Sequence, residues 1–200
     1  MISEIQIKKA QQKTLWDLGN RVLYDLCKKY PYHEQDDQII AKIWLIGRSY
    51  AAAFERGVSD AGDSFYTEKV APALRESGMD DWLEGLSKFR FPTEANIGEI
   101  LVVHKKTMDI FARVSGLEKR SLASKYLHFH RPMLFFLYDS RAATAIRSFT
   151  EPVGKLPFNK GDVDPDYARL SLRCIQLKTI IKERFGVHLT PRQIDNLLLA

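Results

Sequence analysis

Apolar residues recur every three to four positions along most of this chain, a spacing typical of amphipathic α-helices. The pattern runs through residues 3–29 and again through residues 165–185. No stretch alternates between apolar and polar residues as a half-buried strand does. The sequence therefore predicts an all-α fold, a multi-helix bundle with no sheet larger than a trivial hairpin.

Proline and glycine divide the chain into further helices. We predict these over residues 37–55, 64–78, 79–88, 97–114, 121–130 and 140–149, with a last helix opened by a capping box at Thr190. The apolar run 133–138 is too short for a buried helix and is predicted to cross the core as an extended segment. We predict a single α-helical domain, 1–200, and the break at Phe91-Pro92 offers a division into sub-lobes 1–91 and 92–200.

Composition excludes several classes of protein. Only Cys27 and Cys174 are present, so a disulfide framework and a four-cysteine metal site are excluded. No apolar run approaches the roughly 20 residues that a membrane span requires, and the N-terminus lacks the apolar centre of a signal peptide. We expect a cytoplasmic protein without a metal or cofactor. His128 and His130 diverge on a helix, so we expect a buried, hydrogen-bonded His128 and a His130 that favours the helix C-terminus.

Charge is distributed unevenly between the halves of the chain. Residues 1–100 carry 13 lysines and arginines against 16 acidic residues, a net charge of −3. Residues 101–200 carry 17 against 9, a net charge of +8. A basic half favours an anionic partner, with duplex DNA the first candidate, although a solvated basic surface would have the same composition.

The densest group of unusual residues lies in residues 114–132. A predicted helix ends there at a turn centred on Gly116, and a second helix follows directly. Backbone N–H groups at such a turn can hold a phosphate, with help from the helix dipole. Lys119, Arg120 and Lys125 would add positive charge at this place.

Over about residues 97–149, this arrangement resembles the helix-hairpin-helix DNA glycosylase superfamily. Asp139, twenty residues after Lys119 and preceded by an apolar run, occupies the position of the catalytic aspartate in that superfamily. The resemblance implies that Lys119 or Arg120 occupies the catalytic lysine position. Where the superfamily turn usually has a second glycine, this chain has Glu118. The implied DNA contacts are Gly116, Lys119, Arg120, Lys125, Arg131 and Arg141.

Three strings are also similar to an uncharacterised bacterial domain family that brings no known activity. They are residues 123–129, 138–141 and 190–195. Asp139 has a second interpretation, because an aspartate before Ser-Arg-Ala-Ala is an ordinary helix N-cap. The rival to a DNA-interacting protein is accordingly a non-catalytic helical protein that binds a protein or a small ligand. We expect an exposed basic face around Asp139 in the first case and a sealed Asp139 in the second.

Two further interpretations are local. Trp16, Trp44 and Trp82 lie on apolar faces and are predicted to be core residues. Arg192 and Asp195 are three positions apart on the last helix and are expected to form an ion pair.

Overall fold

The computed structural model describes residues 2–59, 61–62, 64–159 and 161–200. Within them the chain forms ten α-helices and no β-strand, which confirms the all-α prediction. The helices are α1 Glu4–Gln11, α2 Leu15–Lys29, α3 Asp36–Ser49, α4 Ala71–Arg75, α5 Met79–Gly85, α6 Ile97–Ser115, α7 Arg120–His130, α8 Ser140–Ala145, α9 Pro165–Phe185 and α10 Pro191–Leu199. A π-helical turn, Phe65–Val70, leads into α4, and a 3-10 turn, Ile146–Ser148, follows α8.

Side-chain caps and glycines set most of these boundaries. Thr190 Oγ1 accepts the Gln193 N–H at 3.2 Å, and the Gln193 side chain accepts the Thr190 N–H at 2.9 Å, so the capping box is confirmed. Gly116 and Gly186 end α6 and α9 in the left-handed region, with φ of 69° and 68°.

The largest differences from the predicted boundaries are in the first two segments. Residues 3–29 form two helices, because Thr14 begins α2 with its own capping box and donates its N–H to Asp17 Oδ2 at 2.7 Å. The helix predicted to reach residue 55 ends at Ser49, and Ala51 has a φ of 50°. The irregular chain that follows buries Phe54 completely. Tertiary packing of this phenylalanine outweighs the helix propensity of three consecutive alanines.

The centre of the fold is α7, in which every residue from 122 to 129 is buried. This helix packs against α2, α3 and α6, while α1 packs against α10 at the opposite end of the chain. Elements from both sides of residue 91 therefore share one hydrophobic core. Among the described residues, no helix combines the length and hydropathy needed to cross a bilayer.

The helix α2 is apolar on two faces, and only one of them is in the core. Its buried residues are Asn20, Leu23 and Cys27. Apolar side chains on its other surfaces are more than half exposed, namely Leu15, Trp16, Leu18 and Val22. The prediction that the tryptophans are core residues is wrong for Trp16, which is 63% exposed, and for Trp44, which is 40% exposed and lies under the Arg48 guanidinium. Helical spacing identifies apolar faces, but it does not say which of them finds a partner.

An ion pair joins the start of α7 to the start of α9. Arg120 donates from Nε to Asp164 Oδ1 at 2.6 Å and from Nη2 to Asp164 Oδ2 at 2.8 Å. Asp164 is only 3% exposed, and it also caps α9 by accepting the Tyr167 N–H at 2.8 Å. Burial alone would raise the pKa of Asp164, but the bonds from Arg120 and Tyr167 lower it below its ordinary value. This bidentate pair closes the long loop that ends at residue 164.

Replacing Arg120 should therefore destabilise the fold. Arg120→Ala leaves a buried carboxylate without its cation, and we expect the free energy of unfolding to fall by about 2–4 kcal/mol. Chemical denaturation followed by circular dichroism measures this loss. Arg169→Ala is the matched control, because its partner Asp166 is half exposed and 3.7 Å away. That substitution should cost less than about 1 kcal/mol, and equal losses in the two variants would contradict the assignment.

Candidate functional site

The helix–turn–helix predicted in residues 97–149 is present as α6, Gly116 and α7. Gly116 donates its N–H to Ala112 O at 2.8 Å, which closes the last turn of α6. Lys119 occupies the N-cap position of α7, and its side chain makes no capping bond. The first N–H groups of α7 therefore lack the side-chain acceptor that Thr190 supplies to α10. An uncapped helix start beside a glycine turn is a place where an anion can bind.

The basic residues of this hairpin are engaged within the protein. Lys119 donates from Nζ to Arg56 O at 2.6 Å. Burial lowers the pKa of Lys119, and the nearby carboxylate of Glu55 opposes this effect. Arg120 is held by Asp164, as described above. Glu118 is exposed and lies 3.6 Å from Arg120 Nη2. Positive charge surrounds the turn, but part of it is neutralised by internal partners.

Lys125 does not lie on an exposed face, contrary to expectation. It is 4% exposed, and its Nζ donates to Ser121 Oγ at 2.5 Å and to Tyr138 O at 3.0 Å. The Tyr50 ring lies beneath the ammonium at 5.7 Å. Burial lowers the pKa of Lys125, while the carboxylates of Asp139 and Asp195 act in the opposite direction.

The burial of Lys125 has a structural cause in the chain that precedes Asp139. After a turn at Arg131–Leu134, the buried residues Phe135–Leu137 have no regular secondary structure. Their backbone groups and those of Tyr138 bind side chains of other elements, as buried polar groups must. His128 Nδ1 donates to Phe135 O at 2.8 Å, Ser124 Oγ accepts the Tyr138 N–H at 2.9 Å, and Lys125 donates to Tyr138 O. The sequence predicts that the run 133–138 crosses the core as an extended segment. Residues 135–137 are buried and non-helical, as that prediction requires, whereas Met133 is 43% exposed.

Asp139 caps the helix that follows this segment. Its backbone is extended, with φ of −139° and ψ of 142°, and its Oδ1 accepts the Arg141 N–H at 2.8 Å. The side chain is 37% exposed, so the carboxylate is not sealed. Arg141 is 77% exposed and has its Nε 3.8 Å from Asp139 Oδ1. The N-cap prediction is confirmed, and one of the expected cations is beside it on the surface.

Lys125, and not Lys119, is the lysine that the fold brings to Asp139. Its Nζ binds the carbonyl of the residue directly before Asp139, whereas Lys119 is held by Arg56. Arg131 lies elsewhere, donating to Leu83 O at 2.9 Å near the carboxylate of Glu84. The expected basic face around Asp139 is therefore reduced to Arg141. Whether these residues contact DNA stays a prediction.

Arg192, Asp195 and Asp17 form a mostly buried polar group close to Lys125 and Asp139, and the sequence predicted only the Arg192–Asp195 pair within it. Arg192 forms the expected ion pair with Asp195 at 2.5 Å, and its Nε is 3.5 Å from Asp17 of α2. Burial raises the pKa of Asp195 to about 6, and Asp139 adds to the rise while Arg192 opposes it. Asp17 and Asp195 are 178 residues apart in the chain, so no local motif could have indicated their association through one arginine.

The histidines of α7 are both neutral at physiological pH. His128 is fully buried, and its Nε2 is 2.7 Å from Tyr24 Oη, which confirms the predicted buried, hydrogen-bonded residue. Burial lowers the pKa of His128 to about 4 and that of His130 well below its ordinary value. His130 lies in the last turn of α7, as predicted, but its ring stacks on His33 and its lowered pKa leaves it without the charge that would favour the helix dipole. Among the described residues, no three His, Cys, Asp or Glu side chains are grouped to hold a metal ion.

Comparisons of the chain with protein-family models, with curated proteins and with solved structures found no match. Function is therefore argued from the geometry of the hairpin and of Asp139.

The raised pKa of Asp195 predicts a pH dependence of stability. In the native protein this carboxyl holds its proton up to about pH 6, whereas its ordinary value is 3.8. The native state consequently binds the extra proton between these values, and the contribution of Asp195 to stability falls as the pH rises from about 4 to about 6. Asp195→Asn lacks this titration. Its stability relative to the wild type should improve between pH 4 and pH 7, by at most about 3 kcal/mol.

Urea denaturation of both proteins across this pH range measures the difference. Asp25→Asn changes an exposed carboxylate on α2 and is the control, for which we expect a difference that does not vary with pH. A pH-independent difference for Asp195→Asn as well would show that the carboxyl is ionised throughout.

Proposed function

We propose that this chain is a helix-hairpin-helix DNA-interacting protein with base-excision chemistry at Asp139. The observation that carries the proposal is the turn at Gly116. It joins the packed helices α6 and α7 and leaves the first N–H groups of α7 without a side-chain cap. Such a start offers N–H donors and a positive dipole end to one phosphate. The net charge of +8 on residues 101–200 supports an anionic partner of some length.

The position of Asp139 supports the chemical part of the proposal. The Asp139 carboxylate is partly exposed at a helix N-terminus, where its Oδ1 accepts the Arg141 N–H. Such a group can stabilise the cation that develops at C1′ of a nucleoside, and it can accept the proton of an attacking water. The water oxygen then bonds to C1′ as the glycosidic C–N bond breaks, Asp139 returns the proton it accepted to solvent, and the departing base takes up one proton from solvent. The nucleotide would have to be flipped out of the duplex to reach this position.

In this proposal, Lys125 rather than Lys119 is the lysine associated with Asp139. Its ammonium is buried at the carbonyl of Tyr138, and this burial lowers its pKa. With an exposure of 4%, Lys125 could act only after the chain around Tyr138 moves. Its resting role is to hold the backbone next to Asp139.

Removing the negative charge of Glu118 tests the hairpin as the phosphate site. Glu118→Gln should strengthen binding to a short duplex about three- to tenfold at low salt, because one repulsive charge beside the phosphate is lost. Glu94→Gln makes the same change in net charge at an exposed position before α6, and it should alter the affinity much less. Fluorescence anisotropy between low and physiological salt measures both, and wild-type affinity should fall steeply over that range. No binding by folded protein at low salt would favour the rival, a non-catalytic helical protein.

Asp139→Asn separates capping from catalysis. Asparagine caps a helix about as well as aspartate, so the variant should stay folded. We expect it to lose base release from duplexes that carry a panel of damaged bases, measured by strand cleavage after alkali. Asp25→Asn should release base at the wild-type rate. Full activity in Asp139→Asn would refute the residue assignment, and no release by the wild type would leave capping as the whole role of Asp139.

A further inference from the structure

A cavity of about 370 Å³ opens between α2, α5 and the end of α7. This volume is in the range of small-molecule sites, which is roughly 300–1,000 Å³. Its lining includes the aromatic residues Tyr24, Tyr32 and Phe129. The charged residues that line it are the acidic Asp80 and Glu84 and the basic Lys28 and Arg131. The hairpin turn, Lys125 and Asp139 do not line it, so the cavity is a separate feature of the molecule.

The carboxylate of Asp80 is held in position by its neighbour His33. The His33 N–H donates to Oδ2 at 2.9 Å, and the ring Nδ1 lies 2.6 Å from Oδ1. On the other side of the ring, His33 Nε2 lies 2.7 Å from Tyr126 Oη. Burial lowers the pKa of His33, so the ring is neutral, with Nδ1–H donating to Asp80 and Nε2 accepting from Tyr126. Asp80 is thus a rigid, oriented acceptor.

No lysine or arginine forms an ion pair with Asp80 among the described residues, although the charge of Lys42 helps to lower the pKa of Asp80. In the described part of the chain, His33 is the only basic side chain within 4.0 Å of its oxygens. Lys42 donates instead to Tyr30 O and Tyr32 O, each at 2.8 Å. Arg131, at the cavity rim, is bound to Leu83 O and lies 3.7 Å from Glu84.

Two acceptor positions of Asp80 therefore remain for a ligand. An ionised carboxylate offers about four such positions, and His33 uses two of them. The Asp80 side chain is 32% exposed where it lines the cavity. Although burial opposes ionisation, the two bonds from His33 hold the pKa of Asp80 below its ordinary value, so the group is an anion at neutral pH.

We propose that this cavity binds a small organic cation with a planar nitrogen group, of the amidinium or guanidinium class. Such a group donates N–H bonds to a carboxylate, carries a delocalised charge that is weakly hydrated, and stacks on aromatic rings. The combination of one oriented anion and several aromatic walls suits that chemistry. An anionic ligand would be repelled by the Asp80 carboxylate. An alkane has no N–H group to donate to the two remaining acceptor positions of Asp80.

Calorimetric titration of the full-length protein with benzamidine tests the proposal. Benzamide and benzoate have the same ring, but benzamide is neutral and benzoate is anionic. We expect benzamidine to bind about tenfold or more tightly than benzamide, as charge-assisted bonds predict, and benzoate to show no binding. Equal affinities for benzamidine and benzamide would overturn the proposal.

Asp80→Asn should weaken benzamidine binding about tenfold or more while leaving that of benzamide unchanged. Asp81→Asn removes the same charge from the next, exposed residue of α5 and should bind benzamidine like the wild type. An Asp80→Asn variant that binds benzamidine as well as the wild type would overturn the assignment.

A measurement on the wild type covers the case in which Asp80→Asn fails to fold. Intermolecular nuclear Overhauser effects from the benzamidine ring should reach the rings of Tyr24 and Phe129. Effects confined to residues away from the cavity would refute the site. Neither result depends on DNA binding, so the failure of this inference is distinguishable from that of the proposed function.

Discussion

The fold depends on how it satisfies the backbone of a buried segment that belongs to no helix. Phe135–Leu137 lie in the core without a helical ladder, so their carbonyl and N–H groups need other partners. The polar side chains of α7 supply several of these, with Ser124, Lys125 and His128 on one face. From α9, Tyr167 donates its hydroxyl to Phe136 O at 2.9 Å. An unsatisfied group at such depth would cost about 1–3 kcal/mol, so these side chains are structural necessities.

This constraint explains the placement of the candidate site. Because Lys125 is bonded to Tyr138 O, the chain leaves α7 along a defined path and presents Asp139 at the start of α8. The helix α7 also begins just after the Gly116 turn, so this one helix positions both the hairpin and the Asp139 carboxylate. A substitution in the polar face of α7 would therefore disturb stability and the candidate site together, and its effect on activity alone would be difficult to interpret.

Several cations of the second half have their partners inside the protein. Arg120 binds Asp164, Arg192 binds Asp195 and Asp17, and Lys125 binds the backbone. A buried cation must be paired or hydrogen-bonded, so the fold draws these residues inward toward their partners. The net charge already subtracts Asp164 and Asp195, but it counts the buried Lys125 equally with exposed residues such as Arg141, so it overstates the basic surface around Asp139.

The sequence by itself determined the helical class, the end of α6 at Gly116 and the caps at Asp139 and Thr190, because each depends on residues close together in the chain. Only the tertiary structure decided that Lys125 is buried, that Trp16 is exposed and that Asp80 faces a cavity. The polar residues 121, 124, 125 and 128 share one face of α7, and the sequence shows this directly. Their partners lie on residues 135–138, and the path of that segment depends on tertiary packing. Local propensity sets where helices begin and end, whereas burial depends on which faces meet, and that is a property of the whole chain.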